Sequence, residues 1–280
     1  MKKIIYLALL LIAFKAEAQK GVVFKIKYLP NHTYDGTIGI KISANVNLSG
    51  NDTIVSKLQQ QGISLPVSVN LALKIKGDMR TGSKNAEGIF PLSMKYNVDE
   101  LSGDLNGKSF PIPMDKLKTG VQMYGHIEPG GTVKADSIAG QKLNDASAQN
   151  FSKMMDLVQK NIKFPDHPIK VGESFTQDVP LNIPVTSNMH MDSKVVYTLV
   201  NIADGKAYFD IQQTMDMRIP IQGDAISLSG SGAGKMVYSI KDNFATAYSA
   251  DMDIKFTGQI KTLKIDASAK MMMEYKYDIN

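Results

Sequence analysis

Cysteine and tryptophan are both absent from the 280 residues. Without cysteine there are no disulfides and no thiolate metal sites. The lipid anchor that bacterial lipoproteins carry on a cysteine just after the signal peptide is excluded as well. Histidine is scarce, at four residues, and no two of them stand three to five positions apart, so no histidine-pair metal motif exists. Long apolar runs are also lacking. The one strongly apolar stretch, Ile4 to Phe14, has 11 residues, against roughly 20 for a membrane-spanning helix.

That stretch has another meaning. Lys2 and Lys3 precede it, and Ala16-Glu17-Ala18 follows as a small-x-small cleavage site. This is the three-part layout of a secretory signal peptide, residues 1–18, with a mature chain from Gln19. The expected location is therefore periplasmic or secreted, without a lipid anchor. The mature chain is expected to form one β-rich domain in two halves, 19–141 and 163–280. The formal charge is +5 and the lysines are scattered singly, which speaks for solvated faces and against a nucleic-acid partner. Nothing in the pattern bears on oligomeric state.

What the sequence has is alternation. Tyr34, Gly36, Ile38, Ile40, Ile42, Ala44, Val46 and Leu48 are interleaved with mostly polar residues. Period two marks a strand with one buried and one wet face. The pattern recurs over Leu65–Ile75, Phe90–Val98, Met189–Leu199, Phe209–Ile219, Phe244–Phe256 and Leu263–Tyr277. About 11–12 strands are expected, several of them long. Gly50-Asn51-Asp52, Asp78–Gly82, Gly130-Gly131, Asp204-Gly205 and Lys241-Asp242-Asn243 supply turn signals, so the strands should run antiparallel as a meander. One segment changes period. Leu143, Ala146, Phe151, Met154, Met155, Val158 and Ile162 fall at helical spacing, which predicts an amphipathic helix over 143–162 ended by Phe164-Pro165.

The fold expected is mainly β: a large curled antiparallel sheet, half-barrel or barrel-like, with one central helix. One helix is too narrow to cover an apolar face of that width. A curled sheet would leave an apolar cavity suited to a lipid or a lipidated partner. The residues expected to line it are Phe151, Met154, Met155, Val158 and Ile162 on the helix, with Met215, Met217, Gly230, Gly232, Gly234, Met252 and Phe256 on strands. The glycines have a plainer reading as points of sheet bending, and the methionines as core filler. A fully packed structural or interaction module of the cell envelope is the alternative.

Catalytic patterns fail on inspection. Gly230-Ser231-Gly232-Ala233-Gly234-Lys235 is not a phosphate loop, because Ser229 stands where the first glycine belongs and Met236 where Ser or Thr should bind magnesium. There is no Gly-x-Ser-x-Gly elbow. Asp251 and Asp253 lie on a polar strand face. No catalytic, cofactor or metal residues are assigned, and a non-enzymatic protein is expected.

Phe164-Pro165-Asp166-His167-Pro168-Ile169-Lys170-Val171-Gly172-Glu173-Ser174-Phe175 is the most distinctive phrase. It resembles the P-x-x-P-V-K-V-G-D-S-W segment of an uncharacterised exported β-rich family of Bacteroidota. Ile169, Glu173 and Phe175 replace that pattern's valine, aspartate and tryptophan. The overall layout is similar to the lipoprotein-carrier fold, a curled sheet around a helix, which implies a hydrophobic cargo.

Overall fold

The computed structural model describes residues 21–109, 120–138, 141–142, 162–178, 190–221 and 224–280. The signal-peptide segment and 143–161 of the expected helix lie outside the described residues.

Alternation turns into strands almost wherever it occurs. In order they are β1 (Thr33–Ser49), β2 (Val67–Thr81), β3 (Phe90–Leu105), β4 (Lys108–Ser109), β5 (Val121–Ile127), β6 (Val133–Ile138) and β7 (Gln141–Lys142), then β8 (Ser174–Asp178), β9 (His190–Ala203), β10 (Lys206–Ile221), β11 (Asp224–Ser239), β12 (Phe244–Ile260) and β13 (Leu263–Ile279). A helix, α1 (Asp52–Gln60), lies between β1 and β2. The Gly50-Asn51-Asp52 turn signal is thus only half a turn. Gly50 has φ +81°, and the Asn51 side chain then caps α1 by accepting from Ile54 N at 3.1 Å. Asp204-Gly205 and Lys241-Asp242-Asn243 do form tight turns, with Asp204, Gly205 and Asn243 at positive φ.

All the strands join one antiparallel sheet. Its path is β7-β6-β5-β3-β2-β1-β13-β12-β11-β10-β9-β8, with β4 pairing β3 to one side. The chain starts in the middle, meanders to one edge, and returns from the other edge to finish beside its first strand. β1 and β13 pair from Tyr34↔Ile279 to Ser49↔Lys264. The β7 and β8 edges are not joined among the described residues.

Register carries the apolar residues of every strand onto one face. Val98, Ile75, Ile38, Tyr275, Tyr248, Met236, Phe209 and Leu199 form one continuous row from β3 to β9. The opposite face carries residues such as Lys41, Asp251, Lys255, Lys264 and Lys270, all exposed. The sheet curls toward its apolar side. Tyr197 on β9 and Tyr275 on β13 are four strand steps apart, about 19 Å on a flat sheet. Yet the Tyr197 hydroxyl is among the groups that raise the Tyr275 pKa, and Tyr275 packs against the same core as Tyr197.

The cause of the curl is visible at β11 and β12. A methyl group on Gly232 would stand 2.3 Å from the Asp251 carbonyl oxygen, and one on Gly234 would stand 2.3 Å from that of Ser249. Only glycine lets β11 lean over β12 this closely.

The core occupies one end of the curled sheet. The segment 21–29 crosses that end. Phe24 is 1% exposed, its ring 5.1–5.2 Å from those of Tyr238, Phe164 and Phe209. The Tyr238 hydroxyl fastens the segment by donating to Lys25 O at 2.6 Å and accepting from Lys25 N at 3.3 Å. Val22 and Ile169 exchange backbone hydrogen bonds at 2.9 Å, so the distinctive 164–175 phrase is the second wall of this plug. Tyr28 and Tyr34 continue it against Phe244 on the other side.

Candidate functional site

Beyond the plug the inner face stays apolar and, among the described residues, is only partly sealed: Val67, Ile226 and Met252 are buried there, but their neighbours are not. Val46, Leu48, Leu228, Phe256, Ile265 and Ala267 are all half-buried, whereas Phe209, Leu199, Tyr238 and Ile127 at the plugged end are at most 1% exposed. Among the described residues, the result is a curled apolar surface with one end filled and the other partly uncovered. Faces are arranged the opposite way from a transmembrane barrel, whose apolar band points outward and whose lumen is polar.

The residues expected to line a ligand site fall into three groups. Met215, Met217, Gly230, Gly232, Gly234, Met252 and Phe256 do share this inner face, in adjacent rows: Met215↔Gly230↔Ile254, Met217↔Leu228↔Phe256 and Gln213↔Gly232↔Met252. Ile162 instead packs against the core at the plugged end. Phe151, Met154, Met155 and Val158 lie outside the described residues. Gly230 is overlain by the Met215 side chain, whose Cγ would be 3.1 Å from an added methyl. The glycines thus serve the curl, and neighbouring side chains use the space they leave.

Sequence reasoning passed over one position. On β10 the inner residues run Phe209, Ile211, Gln213, Met215, Met217, and Gln213 interrupts an otherwise apolar series. The Tyr248 hydroxyl donates to its Oε1 at 3.4 Å. Tyr248 and Tyr275 rings stack at 5.3 Å with an 11° interplanar angle. Tyr197 stacks on Phe175 at 4.9 Å. Burial, with smaller contributions from the neighbouring tyrosines, pushes the Tyr275 and Tyr197 hydroxyls well above the usual phenol range, and burial also raises Tyr248. These hydroxyls remain neutral donors at any physiological pH. The sequence signal for this spot is the single break in alternation at Gln213 together with three inward tyrosines.

The outer face has a cleft of about 300 Å³, lined by Asp35, Thr37, Lys76, Asp78, Asn97 and Asp278 over Gly36 and Gly77. Asp35 faces Asp278 on one side and Asp78 on the other. Like charges directly opposed on neighbouring strands are unfavourable. Lys276 at 3.6 Å from Asp278 and Arg80 at 3.7 Å from Asp78 offset them. His126 Nδ1 sits 3.1 Å from both carboxylate oxygens of Asp136. Asp251 and Asp253 are exposed. Among the described residues no three His, Asp or Glu side chains gather as a metal-ligating group.

No protein-family model and no curated protein matches the chain. Among solved structures, an outer-membrane channel from Pseudomonas putida F1 aligns over 90% of this chain and 98% of its own, at 8% identity and a TM-score of 0.19. The β domain of the Bordetella autotransporter BrkA aligns over 87% and 99%, at 8% identity and a TM-score of 0.19. OccK7 of Pseudomonas aeruginosa aligns over 88% and 99%, at 6% identity and a TM-score of 0.20. At such scores these matches carry no argument about the fold or function of this chain.

Proposed function

We propose that this is a non-enzymatic, exported protein of the cell envelope that holds a lipid or other hydrophobic ligand on the inner face of its curled sheet. The observation that carries the reading is the unsealed apolar surface beyond the aromatic plug. A purely structural domain gains by burying such rows fully, at about 25 cal/mol per Å². Leaving them half-open is costly unless something else covers them. Methionines on that face suit an adaptable surface. The signal-peptide layout supports export, and the 164–175 phrase supports kinship with exported β-rich proteins of Bacteroidota.

The test is purification of the secreted form without detergent, followed by native mass spectrometry and solvent extraction. Bound apolar molecules, or saturable uptake of the uncharged dye N-phenyl-1-naphthylamine, are expected. Protein that is always ligand-free and takes up no dye would sink the proposal.

The outer-face cleft favours a second reading, an envelope interaction module that meets a partner through its polar face. Cross-linking from position Asn97 would then capture a partner, and the inner face would bind nothing.

A further inference from the structure

The inner face carries one polar spot, and its chemistry selects among hydrophobic ligands. Gln213 stands in the row Met271, Met252, Gly232, Gln213, Val195, next to the row of Tyr197 and two rows from that of Tyr248 and Tyr275. Its Oε1 accepts from Tyr248. Its amide N–H groups and the hydroxyls of Tyr197 and Tyr275 have no hydrogen-bond partner among the described residues. Tyr197 is buried, and Gln213 and Tyr275 are half-buried; donors so far withdrawn from water are normally satisfied, and leaving them unpaired is costly. On the inner rows of β1–β3 and β9–β13 the one charged residue is Asp224, opposite Ile221 at the far tip of β11 and four inner rows from Gln213. An ionised head group placed here would be stripped of water with no counter-charge. A neutral oxygen would meet several donors.

We infer that Gln213, with the hydroxyls of Tyr197, Tyr248 and Tyr275, is the anchoring site for the uncharged head of an amphiphile, such as an ester, amide or hydroxyl group. The tail lies along Met215, Leu228 and Phe256 toward the open end. This rests on the proposed hydrophobic-ligand function and adds the ligand's class and direction.

The experiment compares 1-monodecanoylglycerol with decanoate at pH 8 in displacing N-phenyl-1-naphthylamine from the secreted protein. The two share a ten-carbon chain and differ in head charge. The monoglyceride is expected to displace the dye at concentrations at least tenfold lower. Gln213→Leu and Tyr248→Phe, which keep the bulk of each side chain, should each narrow that margin about five- to tenfold, the size of a lost buried hydrogen bond. The outer-face variant Met272→Ala should not change it. Urea midpoints confirm that each variant is folded, and the wild-type comparison stands even if one is not. Decanoate binding as well as the monoglyceride, or a margin indifferent to both variants, overturns the anchoring site while leaving hydrophobic binding intact. If neither ligand nor dye binds at all, the functional reading falls first and takes this inference with it.

Discussion

Truncating Phe24 to alanine tests whether the 21–29 segment is a structural plug. Phe24 is 1% exposed and packs on three aromatic rings at 5.1–5.2 Å. Removing a fully buried phenylalanine costs about 3–5 kcal/mol, through lost transfer energy and the cavity left behind. The site collapses poorly, because Phe164, Phe209 and Tyr238 are held by separate elements, so the loss should be about 4 kcal/mol. For a domain of this size each kcal/mol moves the melting midpoint by about 2–4 °C. A drop of about 8–16 °C is expected by circular dichroism, with a matching fall in urea midpoint at unchanged slope. Val23 is the internal control. It is next in the chain but 45% exposed, and Val23→Ala should stay within about 0.5 kcal/mol. If Phe24→Ala cost under about 1 kcal/mol, or no more than Val23→Ala, the segment would be an ornament on the sheet and not its plug.

Tyr238→Phe removes the hydroxyl that satisfies both Lys25 N and Lys25 O; a loss of about 1–3 kcal/mol in urea unfolding is expected. Gly234→Ala puts a methyl 2.3 Å from a backbone oxygen that cannot step aside, so its melting midpoint should fall by several degrees, whereas Ala233→Gly on the outer face should matter far less. Burial raises the pKa of Tyr28, Tyr34, Tyr197, Tyr238, Tyr248, Tyr275 and Tyr277 in the folded state. Their contribution to stability is therefore complete below the unfolded phenol pKa of about 10 and is lost as pH rises above it. Ultraviolet titration should show these seven hydroxyls still protonated above pH 10 and ionising together as the protein unfolds; their independent titration near pH 10 would contradict the buried cluster.

Strand identity and facing were legible because period two survives in the sequence whatever the partner strand. The inner row of β13 can be read straight from Leu263 to Tyr277. Partnership was not legible. Nothing local to Tyr34 or Ile279 announces that the first and last strands pair, because register across 245 positions depends on every strand between them. The same limit applies to the glycines. Gly232 and Gly234 were visible as a stripe, but the reason for them is the carbonyls of Asp251 and Ser249, which only the register brings near. Asn51 looked like a turn residue and is one, but its side chain also starts a helix. At the candidate site the apolar rows stood out and the polar exception did not. A lone glutamine carries no periodic signal, and only cross-strand neighbours turn Gln213 and three tyrosines into one spot.

The pairing of β1 with β13 bears on when this protein can fold. Thr33 and Asn280 hydrogen-bond each other's backbones at 2.7 and 3.0 Å, so the central seam of the sheet joins two strands far apart in sequence, β1 and β13. Closing so long a loop is an entropic cost met only once, and late. Until β13 pairs with β1, the sheet is two halves, each presenting an unpaired strand edge that any other strand could extend.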